Sequence, residues 1–309
     1  MNQIDCFTTN VSVQESKPFV SKDKRTVYQF PFSKWYSINN PVVMQADPFL
    51  FVKGGTLYLF YEAMNLIGCG DIMMIFTEDL VNWSEPVVVI EDKDCHFSYP
   101  FVFEEDGTVF MMPETGCEHQ IRLYKAADEE LTKFELYKVI LEREEKQSQA
   151  MIFDYADSSL YKKNGVFYLF TSYYKESTYY LELYTSDRFD GGFELHPMSP
   201  VCVGNKYARC GGSLIEAGGR LYRPAQDCES QYGGQLHLLE IDMLSPQEYL
   251  EHVAGENVLP QETAIYNGGG HHLNYAEFKG KTVVATDFKH RCGFFLEKIR
   301  LRVAGLLNK

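Results

Sequence analysis

No stretch of this chain is apolar for the ~18 residues that a membrane-spanning helix needs, and no run of Lys and Arg extends beyond a few residues. The first absence argues against membrane insertion. The second, with a formal net charge of −14, argues against a nucleic-acid ligand held through its phosphates. Eight cysteines are scattered at 6, 69, 95, 117, 202, 210, 228 and 292, with no Cys-x-x-Cys pair among them. Residues 1–16 are polar, without the apolar core of a secretory signal, so the expectation is a cytoplasmic chain with free thiols. Gly-x-Gly-x-x-Gly, the Walker loop and His-Glu-x-x-His are all missing, which leaves dinucleotide, nucleoside triphosphate and zinc-protease chemistry without support.

What is present is a repeat. Asp47 to Glu62 reads as an apolar run, a Gly-Gly turn and a second apolar run, which is the pattern of a β-hairpin. Taking the turn glycine as register, the pattern returns at Gly55, Gly107, Gly165, Gly219 and Gly280, with spacings of 52, 58, 54 and 61 by subtraction. A period of about 50 residues carrying strand signals points to a propeller-like array. The predicted fold is therefore all-β, a five-bladed β-propeller forming one domain over residues 1–309, with blades starting near 46, 98, 156, 210 and 270. A hydrophobic content of 45%, with 15% aromatic, is enough to fill the space between such blades.

Between the repeats, Thr77 to Trp83 carries Asp and Asn turn chemistry and a Trp able to pack back on the sheet, with an echo at Ser186 to Phe189. Glu142 to Gln149 reads as a charged connection or a short helix. Ser245 to His252 reads as a helix, with Ser245 as N-cap and Pro246 at the first position. Thr26 to Phe32 could be a strand that closes the ring against the last blade.

The register also locates polarity. Eight residues before each glycine stand Asp47, Tyr99, Asp157, Gly211 and His272, and seven after stand Glu62, Glu114, Ser172, Gln226 and Asp287. The starts of innermost strands gather beside a propeller's channel, so these groups should line one pocket. Cleavage of a glycosidic bond needs two carboxyls, one protonated and one ionised. Asp47, Glu114 and Asp157 are the catalytic candidates. Glu62, Tyr99, Arg223, Gln226, Asp227 and His272 are candidates for substrate binding: Tyr99 could stack on a sugar ring, and Arg223 could clamp a carboxylate or phosphate. Bland alternatives stand beside these, among them Asp157 as a turn acid between Tyr155 and Ser158. Asp47-Pro48 could be a turn, Glu62 and Glu114 could cap strand edges or pair with Arg223, and Arg223 could join an ion pair between blades. The Gly268-Gly269-Gly270 run before His271 implies backbone pressed close against something.

Asp47-Pro48, Asp79-Leu80-Val81-Asn82-Trp83 and Gly268-Gly269-Gly270-His271 resemble the five-bladed glycoside hydrolase superfamily of arabinanases, β-xylosidases, levansucrases and invertases. Ala46 to Phe49, Ser98 to Phe103, Met112-Pro113-Glu114 and Tyr222 to Asp227 are similar to a branch found in bacterial surface-polysaccharide gene sets. The same branch forms the N-terminal module of plant glucosamine inositolphosphorylceramide transferases. The resemblance spans roughly residues 40 to 290. In the hydrolases the blade-one Asp is base or nucleophile, a blade-two Asp tunes pKa and a blade-three Glu is the general acid. Asp47 matches the first, Tyr99 stands at the second, and Asp157 is the best match to the third.

The resemblance also implies that His271 holds a Ca²⁺ on the axis, with water supplying most ligands, since Ca²⁺ takes about six to eight oxygens. The expected partner is a sugar or sugar donor, and the expected function is cleavage or transfer of a glycosyl unit in surface-glycan synthesis. A non-catalytic glycan- or partner-binding propeller is the rival reading. A Kelch-like interaction propeller is weaker, because the Gly-Gly pairs do not recur at a fixed place.

Overall fold

The computed structural model describes residues 4–30, 42–65, 70–92, 94–115, 119–143, 153–260 and 268–292. Every regular element among them is a strand. The chain opens with β1 (Ile4–Gln14) and β2 (Arg25–Gln29). The first blade follows as β3 (Val42–Lys53), β4 (Thr56–Asn65), β5 (Gly70–Thr77) and β6 (Val87–Ile90). The second holds β7 (Ser98–Glu105), β8 (Thr108–Glu114), β9 (Gln120–Ala126) and β10 (Phe134–Glu142). The third holds β11 (Phe153–Lys163), β12 (Val166–Lys175), β13 (Thr178–Ser186), β14 (Glu194–Leu195) and β15 (Cys202–Val203). The fourth holds β16 (Arg209–Cys210), β17 (Ile215–Ala217), β18 (Arg220–Asp227), β19 (Gln235–Leu244) and β20 (Tyr249–Gly255). The fifth is assembled from both ends of the chain: β21 (Leu273–Phe278) and β22 (Lys281–Cys292) are joined by β1 and β2 in the order β2-β1-β22-β21. The fold is a five-bladed β-propeller.

Ring closure differs in detail from the sequence expectation. The strand that pairs with the last blade is β1, antiparallel to β22 from Ile4↔Cys292 to Gln14↔Thr282. The segment beginning at Thr26 lies one strand further out, on β1. The polar run Thr8-Thr9-Asn10 interrupts the apolar face of Phe7, Val11 and Val13 and obscures β1 in the sequence, although Thr8, Thr9, Asn10 and Ser12 are all buried.

Ser245–His252 is not a helix. Ser245 Oγ accepts the N–H groups of Gln247 and Glu248, as an N-cap would, but Ser245 N donates to Glu248 O and the chain turns back. Tyr249–Gly255 then pairs with β19 as the outermost strand of the fourth blade. Burial of Tyr249 against Leu244 and Phe170 rewards pairing where local capping chemistry alone suggested a helix. Of the charged stretch 142–149, Glu142 ends β10, and residues 144–149 lie outside the described residues.

The core lies in wedges between blades. Phe49, Phe60, Phe97 and Met112 fill the one between the first two, and Phe170, Leu181 and Cys210 the one between the third and fourth. Leu57, Leu59, Val11 and Val283 join the first blade to the fifth. Trp83 packs on Tyr28 of β2 and donates from Nε1 to Val27 O, so the Asp79 turn ties the first blade to the closing strands. Cys95, Cys202, Cys210 and Cys228 are free thiols.

Candidate active site

Three of the five innermost strands carry the same local distortion. The pairing register slips between Ala46 and Phe49, between Ser98 and Phe101, and between Ala156 and Ser159. At each slip the registered residue is left-handed: Asp47 (φ 49°), Tyr99 (φ 46°) and Asp157 (φ 51°). A left-handed residue in a bulge re-aims both its side chain and its N–H. Each N–H turns to a carboxylate of the neighbouring blade: Asp47 N donates to Asp287 Oδ2 (3.3 Å), Tyr99 N to Asp47 Oδ2 (3.2 Å) and Asp157 N to Glu114 Oε2 (2.9 Å). The acids thus knit the blades together at the end of the channel where the registered positions converge. In the fourth blade the position is Gly211-Gly212. A Cβ on Gly212 would stand 1.9 Å from Leu273 O, so the fifth blade's backbone occupies the space a side chain would take.

Asp47 faces two histidines, with Oδ1 3.8 Å from His271 Nδ1 and 3.6 Å from His272 Nδ1. Asp287 anchors that pair, its Oδ1 accepting both the His271 and His272 N–H groups (2.8 and 3.0 Å) while Oδ2 lies 2.5 Å from His271 Nδ1. Phe7 of β1 stacks on the His271 ring at 3.9 Å. Neither His272 nitrogen has a hydrogen-bond partner, although the residue is fully buried.

On the other side Asp157 Oδ2 accepts from Arg209 Nε and from Gln226 Nε2 (2.7 Å), and Arg209 Nη2 lies 3.9 Å from Glu114 Oε2. Glu62 accepts from His96 Nε2 (3.2 Å), and His96 Nδ1 in turn accepts the Gly70 N–H (2.9 Å), which fixes the tautomer that donates to Glu62. Tyr232, from the β18–β19 loop, lies against the Arg209 guanidinium (4.9 Å) and edge-on to His271 (5.1 Å) with part of its ring exposed.

These surroundings drive the ionisable groups apart. Burial works to raise the Asp47 carboxyl, but His271 and His272 outweigh it and, with a smaller pull from Arg209, hold it at about 2. Burial and the Asp157 charge push Glu114 up to about 8, against Arg209. Burial disfavours charge on His271, yet Asp287 and Asp47 raise it to about 9. At neutral pH the cluster holds an ionised Asp47, a protonated Glu114 and an imidazolium. An ionised and a protonated carboxyl set by environment are what general acid–base chemistry requires.

Asp47, Asp287 and His271 each offer one ligand atom, all within 4.8 Å of one another. By itself the set falls short of a Ca²⁺ shell. It supplies two carboxylate oxygens where about six to eight oxygens are wanted, and both Asp287 oxygens already accept backbone N–H groups. A protonated His271 provides the positive charge between the two acids.

The cluster unites Asp47, Glu62, Glu114, Asp157, Gln226, His271 and His272 of the residues proposed from sequence. Three others do not take the parts proposed for them. Tyr99 does not present a face for stacking: its fully buried ring meets Phe49 and His272 edge-on, and its hydroxyl joins Ser159 Oγ (2.8 Å) and the Gly212 N–H (3.0 Å), making it the floor of the site. Arg223 is no ligand clamp. Its guanidinium is fully buried and bidentate on Glu251 (2.6 and 2.9 Å), with the remaining arm on Tyr207 O. Asp227 accepts from His237 Nε2 (3.1 Å) and from Glu229 N, ordering the loop that carries Tyr232.

The glycine run before His271 is pressed against protein. Cβ atoms on Gly268, Gly269 and Gly270 would meet Lys289 O, Gly234 O and Asp287 O at 2.9, 2.1 and 2.3 Å. Arg209, His96, Tyr232 and Phe7 were not proposed from sequence. Arg209 alone had a usable signal, since it lies two residues before Gly211 and strand period two puts it on the same face.

With this geometry in place, comparison with known proteins is informative. The family described as "Glucosamine inositolphosphorylceramide transferase 1, N-terminal" matches residues 23–286. Among curated proteins, glucosamine inositolphosphorylceramide transferase 1 of Arabidopsis thaliana is 32% identical over 256 residues, covering 76% of this chain and 32% of the relative. The protein of the same name from japonica rice is 35% identical over 213 residues, covering 67% and 27%. The chain therefore spans about a third or less of these relatives' length.

Among solved structures, Zg3597, a family 117 glycoside hydrolase of Zobellia galactanivorans, superposes with a TM-score of 0.55 at 13% identity over 80% of this chain and 84% of that one. The Bombyx mori GH32 β-fructofuranosidase BmSUC1 gives 0.56 at 14% identity, covering 77% and 54%. At such identities these two share the fold. The sequence matches go further, and the chain belongs to the family of the N-terminal module of glucosamine inositolphosphorylceramide transferase 1.

Proposed function

We propose that this propeller acts on a glycosyl unit at the channel mouth, with Asp47 as general base and Glu114 as general acid. The observation that carries this reading is the gathering of Asp47, Glu114 and Asp157 in one buried cluster, tied across the blades by the hydrogen bonds from Tyr99 N to Asp47 and from Asp157 N to Glu114. Its surroundings hold Asp47 down and push Glu114 up. Asp157 is clamped by Arg209 and Gln226 close to Glu114, where it works with burial to raise the acid. His272 lies beneath Asp47 as a buried neighbour, and part-exposed Tyr232 offers a face for a sugar ring. His271, held by Asp287, keeps Asp47 ionised.

The relatives are named as transferases, which favours transfer of a glycosyl unit to an acceptor hydroxyl over hydrolysis. The base at Asp47 would then deprotonate that hydroxyl. The second reading is a glycan-binding module inside a longer transferase, favoured by the small share of the relatives that the chain covers. Nitrophenyl glycosides and nucleotide sugars, screened with wild type, Asp47→Asn and Glu114→Gln, separate the two. Turnover lost in both variants supports the catalytic reading. Sugar binding without turnover in wild type supports the binding module.

A further inference from the structure

Most of what holds the Arg209 guanidinium comes from strands. Asp157 on β11 accepts from Nε, the Tyr179 hydroxyl on β13 accepts from Nη1 (3.0 Å), and Glu114 at the end of β8 lies 3.9 Å from Nη2. Sheet ladders fix the backbone of all three. The Tyr232 ring, 4.9 Å from the guanidinium, comes instead from the loop 228–234 between β18 and β19 and is 40% exposed. No ladder holds it over the charge, so its place needs a separate anchor.

That anchor is Lys289. It lies on β22, in register with Phe7 of β1, and has no exposed surface. Lysine is rarely buried completely unless its charge has partners. Here Nζ donates to the Tyr232 carbonyl oxygen (2.6 Å) and lies 6.0 Å from the Phe7 ring centroid. The loop is tied to the fifth blade a second time by Gln231 Nε2 on Gly268 O (2.9 Å). Gly233, left-handed at φ 59°, lets it pass so close that a Cβ there would stand 3.0 Å from Phe7 Cζ and 3.3 Å from His271 Cβ. Phe7 stacks on His271 and meets Tyr232 edge-on at 5.9 Å. Lys289, Phe7, Tyr232 and His271 thus form one packed unit, and Arg209 lies against its outer member.

We propose that Lys289 is a positioning residue: by holding the Tyr232 carbonyl it keeps that ring on Arg209 and shelters the Arg209–Asp157 clamp from water. The bland alternative is that Lys289 fastens a loop for stability alone. The inference rests on the site described above, but not on which of its acids moves a proton.

The test is NMR of the full chain labelled with ¹⁵N-arginine, reading the exchange of the Arg209 Nε–H with water, with Arg209→Lys to assign the signal. Lys289→Met keeps the stem and removes the donor. It should speed that exchange about tenfold, the scale of a lost hydrogen bond, while the β22 amides stay protected. Should the Met variant fail to fold, Lys289→Gln, one bond short of the carbonyl, takes its place. Tyr232→Ala should speed the exchange to the same degree, and Tyr232→Phe should not. Lys289→Met combined with Tyr232→Ala should add little to Tyr232→Ala alone, because both act through one contact. Unchanged exchange in Tyr232→Ala overturns the inference. So do effects that simply add in the double variant, which would leave Lys289 a structural fastening. No arm uses turnover, so failure of the catalytic reading leaves this result readable.

Discussion

Two of the buried ionic clusters among the described residues, one on the propeller axis and one in the fourth blade, are finished to different degrees. In the fourth blade, Arg223 meets Glu251 through two parallel hydrogen bonds and Tyr207 O through a third, with Tyr249 OH also on Glu251. Every arm is used. On the axis, neither His272 nitrogen makes a hydrogen bond within normal distance, and Nδ1 lies 3.6 Å from Asp47, while His271 Nδ1 meets Asp287 Oδ2 as a charge contact. Burial of charge marks both places. Unused hydrogen-bonding capacity and divided protonation states mark only one, and that is the difference between a structural pair and a site poised to act.

The sharpest way to break this comparison is to exchange the roles. Asp47→Asn keeps the shape of the axial cluster and removes the base, so turnover should fall by ~10²–10⁴-fold while the folded propeller persists by circular dichroism. Near-normal turnover in the folded variant would move the chemistry elsewhere. Glu251→Ala should do the reverse. Stranding the buried Arg223 should cost ~3–5 kcal/mol of stability in denaturant unfolding, with turnover per folded molecule kept. Lost turnover at unchanged stability would make the fourth-blade pair functional. Tyr99→Phe tests the floor: leaving the buried Gly212 N–H without its acceptor should cost ~1–3 kcal/mol, read by the same unfolding experiment.

A smaller effect sharpens the electrostatics. Glu114 rises from 4.5 to about 8 and His271 from 6.5 to about 9 on folding. Both hold protons in the folded chain that the unfolded chain releases. The stability they contribute is complete below their ordinary values and is lost as pH rises through about 8 and about 9. Stability should therefore decline toward alkaline pH, and Glu114→Gln should remove the earlier part of that decline. Chelator treatment should change neither stability nor turnover, because His271 already supplies the axial charge. A loss restored by Ca²⁺ would contradict that assignment.

Much of the architecture was legible because a propeller repeats, and hairpins with turn glycines at near-constant spacing reveal the repeat without any alignment. The register that found the blades also brought Asp47, Glu114 and Asp157 together. What it could not show was direction. Tyr99 shares the left-handed bulge of Asp47 and Asp157, yet its longer side chain reaches across the axis to Ser159 and Gly212 rather than out to the mouth. Arg223 alternates correctly along β18 but faces Glu251 two strands away, a pairing set by β20, which read as a helix. Tyr232 and His96 come from loops whose course has no period. Phe7 comes from a strand at the other end of the chain, brought beside His271 by ring closure.

The central claim is that one buried cluster holds Asp47 and Glu114 in opposite protonation states, and carboxyl titration tests it without any substrate. In the protein labelled with ¹³C at Asp and Glu side-chain carboxyls, spectra of wild type, Glu114→Gln and Asp47→Asn assign the two signals. Glu114 should stay protonated through neutral pH and titrate near 8, with Asp47 ionised throughout that range. A Glu114 signal that titrates near its ordinary 4.5 would contradict the claim and leave the axial acids as a structural network.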